Sequence, residues 1–506
     1  MHGGSGQSGP HRTVRSRLSR VGRAGTALSA AGIAGFCLAN APAVAAPPQL
    51  QVPTEEQLQP GGTGDIGGPL SFLSGVERSS LLLGNMWGLR PFLSQYGMSF
   101  ALLETSELLG NATGGSRQGA EYDGLTQMLL QLDTKRAFGW YGGTFNVSAL
   151  QYHGRSLSAD NLSTLQTASG IEADRATRLW ELWYDQKFLE EDRLDVRIGQ
   201  QSLDQEFIVS QNALLFVNTM FGWPMVPSAD LPGGGPAYPL SAPGVRIKVR
   251  PIDSLTLLAG VFNGSPARSN IGDPQQVNSS GTSFPLNGGT LAIAELQYAY
   301  PALGSMIYAN QAEPLSRTYK IGIWYNTESF ADQRFDNTGL SLANPASTGI
   351  AQPHRGNYSI YAVADQMVWQ DPDEFDRTIN LFVRAMGTPE TDRNLIDFSL
   401  NVGFNFHEPF LHRDDDSFGI GIGFAKVSPR AAGLDRDTQL FTGSFTPART
   451  SETFIEATYQ YAVTPWLQLQ PDIQYVFNPG AGLANASGTG KIGDELVIGV
   501  RTNILF

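Results

Sequence analysis

Residues 395–406 read Leu-Ile-Asp-Phe-Ser-Leu-Asn-Val-Gly-Phe-Asn-Phe. Successive side chains of an extended chain point to opposite faces. Ile396, Phe398, Leu400, Val402, Phe404 and Phe406 therefore share one face, and Asp397, Ser399, Asn401, Gly403 and Asn405 the other. Alternation over about ten residues outruns the usual globular strand of about five or six. It has the length a tilted strand needs to cross a bilayer. Two neighbouring stretches repeat it. In 417–426, Phe418, Ile420, Ile422 and Phe424 oppose Gly419, Gly421, Gly423 and Ala425. In 466–478, Leu467, Leu469, Ile473, Tyr475 and Phe477 oppose Gln468, Gln470, Asp472, Gln474 and Asn478.

Working outward, period-two patterning extends over residues 98–506. Strands are expected at 98–109, 121–134, 143–153, 177–188, 193–201, 244–250, 254–262, 290–300, 317–326, 357–369, 377–387, 394–406, 417–427, 451–463, 466–478 and 494–506. That makes about sixteen, and an even count suits a single-chain bacterial barrel. Short links at 190–192, 251–253 and 464–465 alternate with long ones at 154–176, 202–243, 263–289, 327–356, 428–450 and 479–493. Such segregation is expected of periplasmic turns against external loops. The exceptions are 301–316, long where a turn is due, and 388–393, short where a loop is due. The fold class is thus all-β, a transmembrane antiparallel barrel. Leu496, Ile498, Val500, Ile504 and Phe506 share the face of the last strand. A terminal aromatic there is the feature that barrel-insertion machinery reads; an ordinary strand that happens to end in Phe is the plainer alternative.

Bulk composition agrees. Mean hydropathy is only −0.16, but alternating strands hide a membrane signal in the average. No run in the mature chain approaches 18 apolar residues, so a membrane location requires a barrel, the other structure that satisfies every backbone group in lipid. The N-terminus is a separate object. Arg12, Arg15, Arg17, Arg20 and Arg23 precede the small and apolar run 24–38, and Ala43-Val44-Ala45 offers a cleavage site. Residues 1–45 therefore read as a secretory signal, 46–69 as a flexible Pro-, Gln- and Gly-rich lead-in, 70–97 as a short helical or capping segment and 98–506 as the barrel. Cys37, the only cysteine, lies in the signal, which excludes a disulfide framework or thiolate metal site from the mature chain. Removing the five signal arginines leaves 29 basic against 47 acidic residues, a balance of −18. Such a chain does not bind nucleic acid through bulk charge.

Residues 212–251 read NALLFVNTMFGWPMVPSADLPGGGPAYPLSAPGVRIKVRP. Asn218, Phe221, Gly222, Trp223, Pro224, Gly233, Gly234, Gly235, Tyr238, Pro239, Gly244, Val245, Arg246 and Arg250 strongly resemble the pattern of the OprB-type carbohydrate-selective porins. Trp87-Gly88-Leu89-Arg90 with Leu93 and Gly97, and Arg197-Ile198-Gly199-Gln200 through Glu206-Phe207, match that family more loosely. The resemblance covers about 80–506. It implies a sixteen-stranded outer-membrane barrel, passive uptake of sugars such as glucose, and a loop folded into the pore. The longest link, 202–243, falls between the fifth and sixth strands, where such a loop belongs.

Selectivity in such a pore rests on its radius and lining. If Val245, Ile247 and Val249 face lipid, Arg246, Lys248 and Arg250 form a basic ladder facing the lumen, either presenting donors to hydroxyls or balancing acids on neighbouring strands. Arg197 faces inward beside Asp195. Glu181, Trp183 and Asp185 face inward opposite Trp180, Leu182 and Tyr184. Carboxylates and Arg suit sugar hydroxyls, and the Trp183 ring suits the apolar C–H face of a sugar; an interfacial girdle role is its alternative. In the constriction loop, Phe221, Trp223 and Tyr238 narrow the pore or pack the loop on the wall. Gly419, Gly421 and Gly423 leave lumen space, and Gln468, Gln470 and Asp472 line the wall.

Enzyme signatures are weak throughout. Gly233-Gly234-Gly235 lacks the Gly-Lys-Ser/Thr of a phosphate loop, no G-x-S-x-G or H-E-x-x-H occurs, and Asp414-Asp415-Asp416 lacks spaced Ca²⁺ ligands. No cofactor is expected. The expected partners are small sugars, outer-membrane lipid and, through Phe506, the insertion machinery. No interface stripe decides between monomer and trimer. A general diffusion porin for small polar solutes keeps the same barrel; an exported non-channel β-protein is the reading from another class.

Overall fold

A computed structural model describes residues 81–268, 272–301, 315–410, 413 and 415–506. The expectations for 1–45, 46–69 and 70–80, most of the 301–316 link, and Asp414 lie outside the described residues. The remainder forms β1 (Met98–Thr113), β2 (Gly119–Asp133), β3 (Gly143–Gly154), β4 (Thr177–Phe188), β5 (Leu194–Gln201), β6 (Ala242–Ile252), β7 (Leu255–Asn263) and β8 (Thr290–Tyr300). These are followed by β9 (Arg317–Asp336), β10 (Ala351–Gln370), β11 (Thr378–Gly387), β12 (Ile396–His407), β13 (Ser417–Val427), β14 (Ser451–Thr464), β15 (Leu467–Phe477) and β16 (Glu495–Leu505). Each strand pairs antiparallel with its neighbours, and β1 closes on β16 with Leu103 opposite Leu505 and Leu108 opposite Val500. Closure removes every sheet edge, which lipid does not tolerate.

Alternation sorts the two faces. Val245, Ile247, Ile420, Ile422, Ile473 and Tyr475 are exposed on the outside, whereas Arg246, Asn401 and Gln474 are buried inside. Two bulges overturn local expectations. Between β3 and β4, Ser148 faces Glu181 but Ala149 faces Leu179. Trp180 is the extra residue, and it turns inward beside Glu181 instead of outward with Leu182. An inserted residue shifts the face of everything on one side of it. At the start of β12 the register slips between Ile396 and Phe398, which buries Ile396 inside rather than leaving it on the lipid face.

The external links also differ from expectation. Most of 327–356 is not loop: β9 and β10 run on as a hairpin, pairing Phe330 with His354. The 428–450 link contains the helix Pro429–Thr442, capped by the Ser428 hydroxyl, which accepts from Ala431 N at 3.2 Å. The N-terminal segment holds the helix Leu89–Gln95. Its buried Arg90 donates to Phe100 O and to a terminal oxygen of Phe506, and Leu82 N donates to Leu505 O at 2.8 Å.

Candidate functional site: the lumen and its inserted loop

The connection from β5 to β6 folds back inside the barrel. Phe207, Phe216, Met220, Phe221 and Trp223 join Trp324, Tyr361, Phe382, Met386 and Phe454 of the wall in one buried cluster. The glycine face of β13 makes this seat. A Cβ on Gly421 would lie 2.6 Å from Phe221 Cζ, and one on Gly419 2.9 Å from Leu215 Cδ2 and Phe216 Cζ. Phe221 packs on Phe216, Phe382 and Phe454 with ring centroids 4.3, 5.6 and 5.3 Å away. Trp223 donates to Gly234 O at 3.0 Å, and Tyr238 sits edge-on to Trp180 at 5.7 Å. All three loop aromatics are fully buried. They hold the loop to the wall and offer no surface to a solute.

A buried loop must satisfy its own backbone, and wall side chains do this. Glu295 accepts from Ile208 N at 2.8 Å, and Asp365 from the Ser210 hydroxyl at 2.5 Å. Glu456 accepts from Val217 N and Asn218 N at 2.6 and 3.0 Å. Arg384 donates to the carbonyls of Ile208, Met220, Phe221 and Gly222. Gln470 donates to Leu215 O at 2.7 Å. A second inserted segment, in the β3–β4 connection, is held similarly: Glu452 accepts from Leu165 N and Gln166 N at 2.8 and 2.7 Å. Within it, Glu172 accepts from the Ser156 hydroxyl and Ser158 N, and burial pushes its carboxyl up to about 7.

On the opposite wall, β4, β5, β6 and the start of the loop converge in a charge cluster. Arg246 is wholly buried. It donates to Glu206 at 2.5 and 2.8 Å, to Asp185 at 3.0 Å, and to Asp195. The ladder expected from alternation is therefore not a solute-facing row. Arg246 is consumed by three carboxylates, and Lys248 Nζ sits 3.9 Å from Asp195. Arg250 turns to the rim, donating to Glu191 O. Buried charges persist only when paired in this way. Burial alone would raise the Glu206 carboxyl, but Arg197, Arg246 and Lys248 hold it down to about 2.

Arg197 occupies the edge of this cluster. It donates to Asp185 at 2.9 Å, lies 3.5 Å from Glu206, and stacks 3.8 Å above the Trp183 ring. That face of Trp183 is thereby taken, so the ring is not the open stacking platform that alternation suggested. Glu181 accepts from Ser202 N at 3.0 Å. Beside them lies an open space of about 540 Å³, solvent at its mouth included, bounded by Gln127 and Gln131 of β2, Asn146 and Ser148 of β3, Trp180, Glu181, Trp183, Arg197, and Gln205 and Glu206 of the loop. The chamber brings Glu181, Trp183 and Arg197 together; Arg246 and Asp185 stand behind them, and Lys248 and Arg250 stand apart. Sequence reasoning missed the β2 and β3 amides and Gln205. On β2, Leu125 and Leu129 share the inward face with Gln127 while Met128 and Leu130 face out, so apolar residues on both sides blur the pattern.

A family model for the OprB family of carbohydrate-selective porins matches residues 117–506. The chain belongs to this family. Porin B of Pseudomonas aeruginosa is 24% identical over 452 residues, covering 85% of this chain and 92% of that protein. The putative porin QuiX of Acinetobacter baylyi is 23% identical over 450 residues, covering 84% and 93%. Among solved structures, the high-pH structure of Pseudomonas putida OprB matches with a TM-score of 0.73 at 23% identity, covering 85% of this chain and 99% of that one. The protein is a sugar porin of the bacterial outer membrane. Its relatives are channels, in keeping with a barrel whose charged groups are arranged to hold a loop and line a path.

Proposed function

We propose that the protein passes monosaccharides such as glucose by passive diffusion, and that selection occurs in the chamber bounded by Arg197, Glu181 and the amides of β2, β3 and the loop. The supporting observation is the chemistry of that lining. Gln127, Gln131, Asn146 and Gln205 both donate and accept hydrogen bonds, as sugar hydroxyls do, while Arg197 is a fixed planar donor. Trp183 acts by orienting the Arg197 plane, and Asp185, Arg246 and Glu206 brace it. Phe221, Trp223 and Tyr238 seat the loop that sets the chamber's width. In this reading residues 1–45 are a signal removed before insertion, 46–69 a flexible lead-in, and Phe506 the mark read by the insertion machinery; mature protein beginning at Ala46 would bear out the first.

Liposome swelling tests the central part. Glucose, a disaccharide and an amino acid of glucose's size are compared across membranes holding the purified protein. Glucose entering faster than its size predicts, with Arg197→Ala abolishing that advantage, supports the reading. Rates ordered by size alone make the protein a general diffusion porin. An absence of swelling with folded protein refutes permeation.

A further inference from the structure

Two buried carboxylates meet at the external ends of β14, β15 and β16, where the 428–450 and 479–493 links attach. Glu495 opens β16, and Glu452 is the second residue of β14. Val476 of β15 pairs with Glu495 on one side and with Phe454 on the other. Glu452 lies two residues before Phe454, on the same inward face. Both glutamates are fully buried, but they are satisfied very differently. Three backbone N–H groups converge on Glu452, from Leu165 at 2.8 Å, Gln166 at 2.7 Å and Gly480 at 2.6 Å. Among the described residues, Glu495 is the one carboxylate with both oxygens buried and neither accepting a hydrogen bond. The charges that act on it are those of Glu452 and Asp494, with no Lys, Arg or His among them. Asp494 is itself exposed and accepts from Asn478 N at 2.9 Å.

The inserted segment of the β3–β4 connection brings further oxygens to this place. Gln166 is buried, and its Nε2 lies 3.3 Å from Glu452 O and 3.4 Å from Glu452 Oε1. That contact sets the amide against the carboxylate and leaves Gln166 Oε1 without a donor. Thr164 Oγ1, two residues earlier, is also buried without a partner. The turn Pro479–Gly482 closes over the segment. A Cβ on Gly480 would stand 2.8 Å from Ser163 O, and its φ of +62° already favours glycine. A buried ionised carboxylate with neither a donor nor a counter-charge is strongly disfavoured. The unsatisfied atoms here are all oxygens, from carboxylate, amide and hydroxyl, with no imidazole or thiolate. Such a set suits a hard divalent cation. Among the described residues no three carboxylate, imidazole or thiolate groups gather as a metal site, so the ligands beyond the two glutamates are neutral oxygens, which Ca²⁺ accepts readily.

We propose that Glu495 and Glu452, with Gln166 and Thr164, hold a Ca²⁺-type divalent cation that pins the inserted 155–176 segment to the wall at the external mouth. Glu452 alone ties that segment and the Pro479–Gly482 turn to β14. A cation shared with Glu495 ties them to β16 as well, and it supplies the positive charge that Glu495 lacks.

The test uses the purified full-length protein in detergent freed of phosphate-bearing lipids, which bind Ca²⁺ themselves. Calorimetric titration with CaCl₂ is expected to show a single Ca²⁺ per chain, with a Kd of about 10⁻⁴–10⁻³ M, the range of extracellular sites. Glu495→Gln keeps the shape of the side chain and removes its charge, and should weaken binding about tenfold or more. A second measurement needs no variant and holds the proposal to account should Glu495→Gln not fold. At fixed pH, EDTA should speed hydrogen exchange at residues 161–167 and 479–482 of the wild-type protein, and excess CaCl₂ should restore their protection. The proposal is overturned by a wild-type protein that takes up no Ca²⁺, by equal binding in Glu495→Gln, or by exchange that EDTA leaves unmoved. It is overturned equally by an infrared band of a protonated carboxyl that persists in CaCl₂ and is lost in Glu495→Gln, since Glu495 would then carry a proton in place of a cation.

Discussion

The two sides of the barrel differ in what they do with the same alternation. Around β10–β14 the inner face is given over to the inserted loop: Phe382, Met386 and Phe454 pack on it beside Gly419 and Gly421, and Asp365, Arg384 and Glu456 bond its backbone. Around β2–β5 the inner face carries amides, carboxylates and Arg197, and there the space stays open. The difference teaches that a pore is shaped as much by the wall that binds the loop as by the wall that faces the solute. A seat of aromatic rings with glycine clearance holds the loop to one side and leaves space open beside β2–β5.

The sharpest way to break the contrast is to empty the seat. Phe221→Ala removes a ring packed against three others and should cost about 3–5 kcal/mol, seen as a lower temperature for loss of the compact gel form. With the loop loosened, swelling rates should converge across solutes. Overfilling is the next test. Gly421→Leu pushes into Phe221 and Phe216 and should cost about 1–3 kcal/mol, again with altered pore size; the same change on a surface loop glycine such as Gly490 should alter neither. On the polar wall the expected stability effect is smaller. Trp183→Ala removes the platform under Arg197, a contact worth about 0.5–2 kcal/mol, and should lower glucose preference while the loop stays seated.

Sequence alternation carried most of the fold because a membrane wall leaves it little freedom. All sixteen expected strands are present, including those around Phe398 and Ile422, whose outward faces are apolar from Leu400 to Phe406 and from Phe418 to Phe424. What alternation misses is whatever breaks it. The bulge at Trp180 puts that ring inside, and the bulge before Phe398 buries Ile396. It also says nothing about which inward charges meet. Arg246 and Arg197 lie opposite each other in register, yet one is enclosed by Asp185, Asp195 and Glu206 and the other reaches the open space. That outcome depends on Glu206, which arrives from the loop and belongs to no strand. The loop aromatics Phe221 and Trp223 were legible as residues that narrow the pore or pack the loop on the wall, but the sequence did not show that Phe221 would meet Gly421 of β13, 200 residues away.

The smallest effect separates the two inserted segments by pH. The Glu206 carboxyl sits well below the ordinary glutamate range, so its contribution is full above that range and is lost as pH falls toward about 2. Glu172 is held up at about 7 by burial, so the folded state favours its proton; its contribution is full at acid pH and is lost as pH rises toward and past that value. Protection from hydrogen exchange at residues 155–176 should therefore fall between about pH 5 and pH 8, and so should that of 202–241, where burial likewise raises Asp204 and Asp230; the start of the longer loop should also loosen below about pH 4, where Glu206 takes up its proton. Equal responses of both segments below about pH 4 would dissolve the distinction.

The most direct measurement is the single-channel current with glucose added to one side. Glucose held in the chamber interrupts the ion current. The account predicts a concentration-dependent block in the wild-type protein, weakened at least several-fold by Arg197→Ala and nearly as much by Trp183→Ala, and unchanged by Val402→Ala on the far outer wall. Block of equal strength in wild type and Arg197→Ala would contradict it, since the polar wall would then not be where the sugar is held.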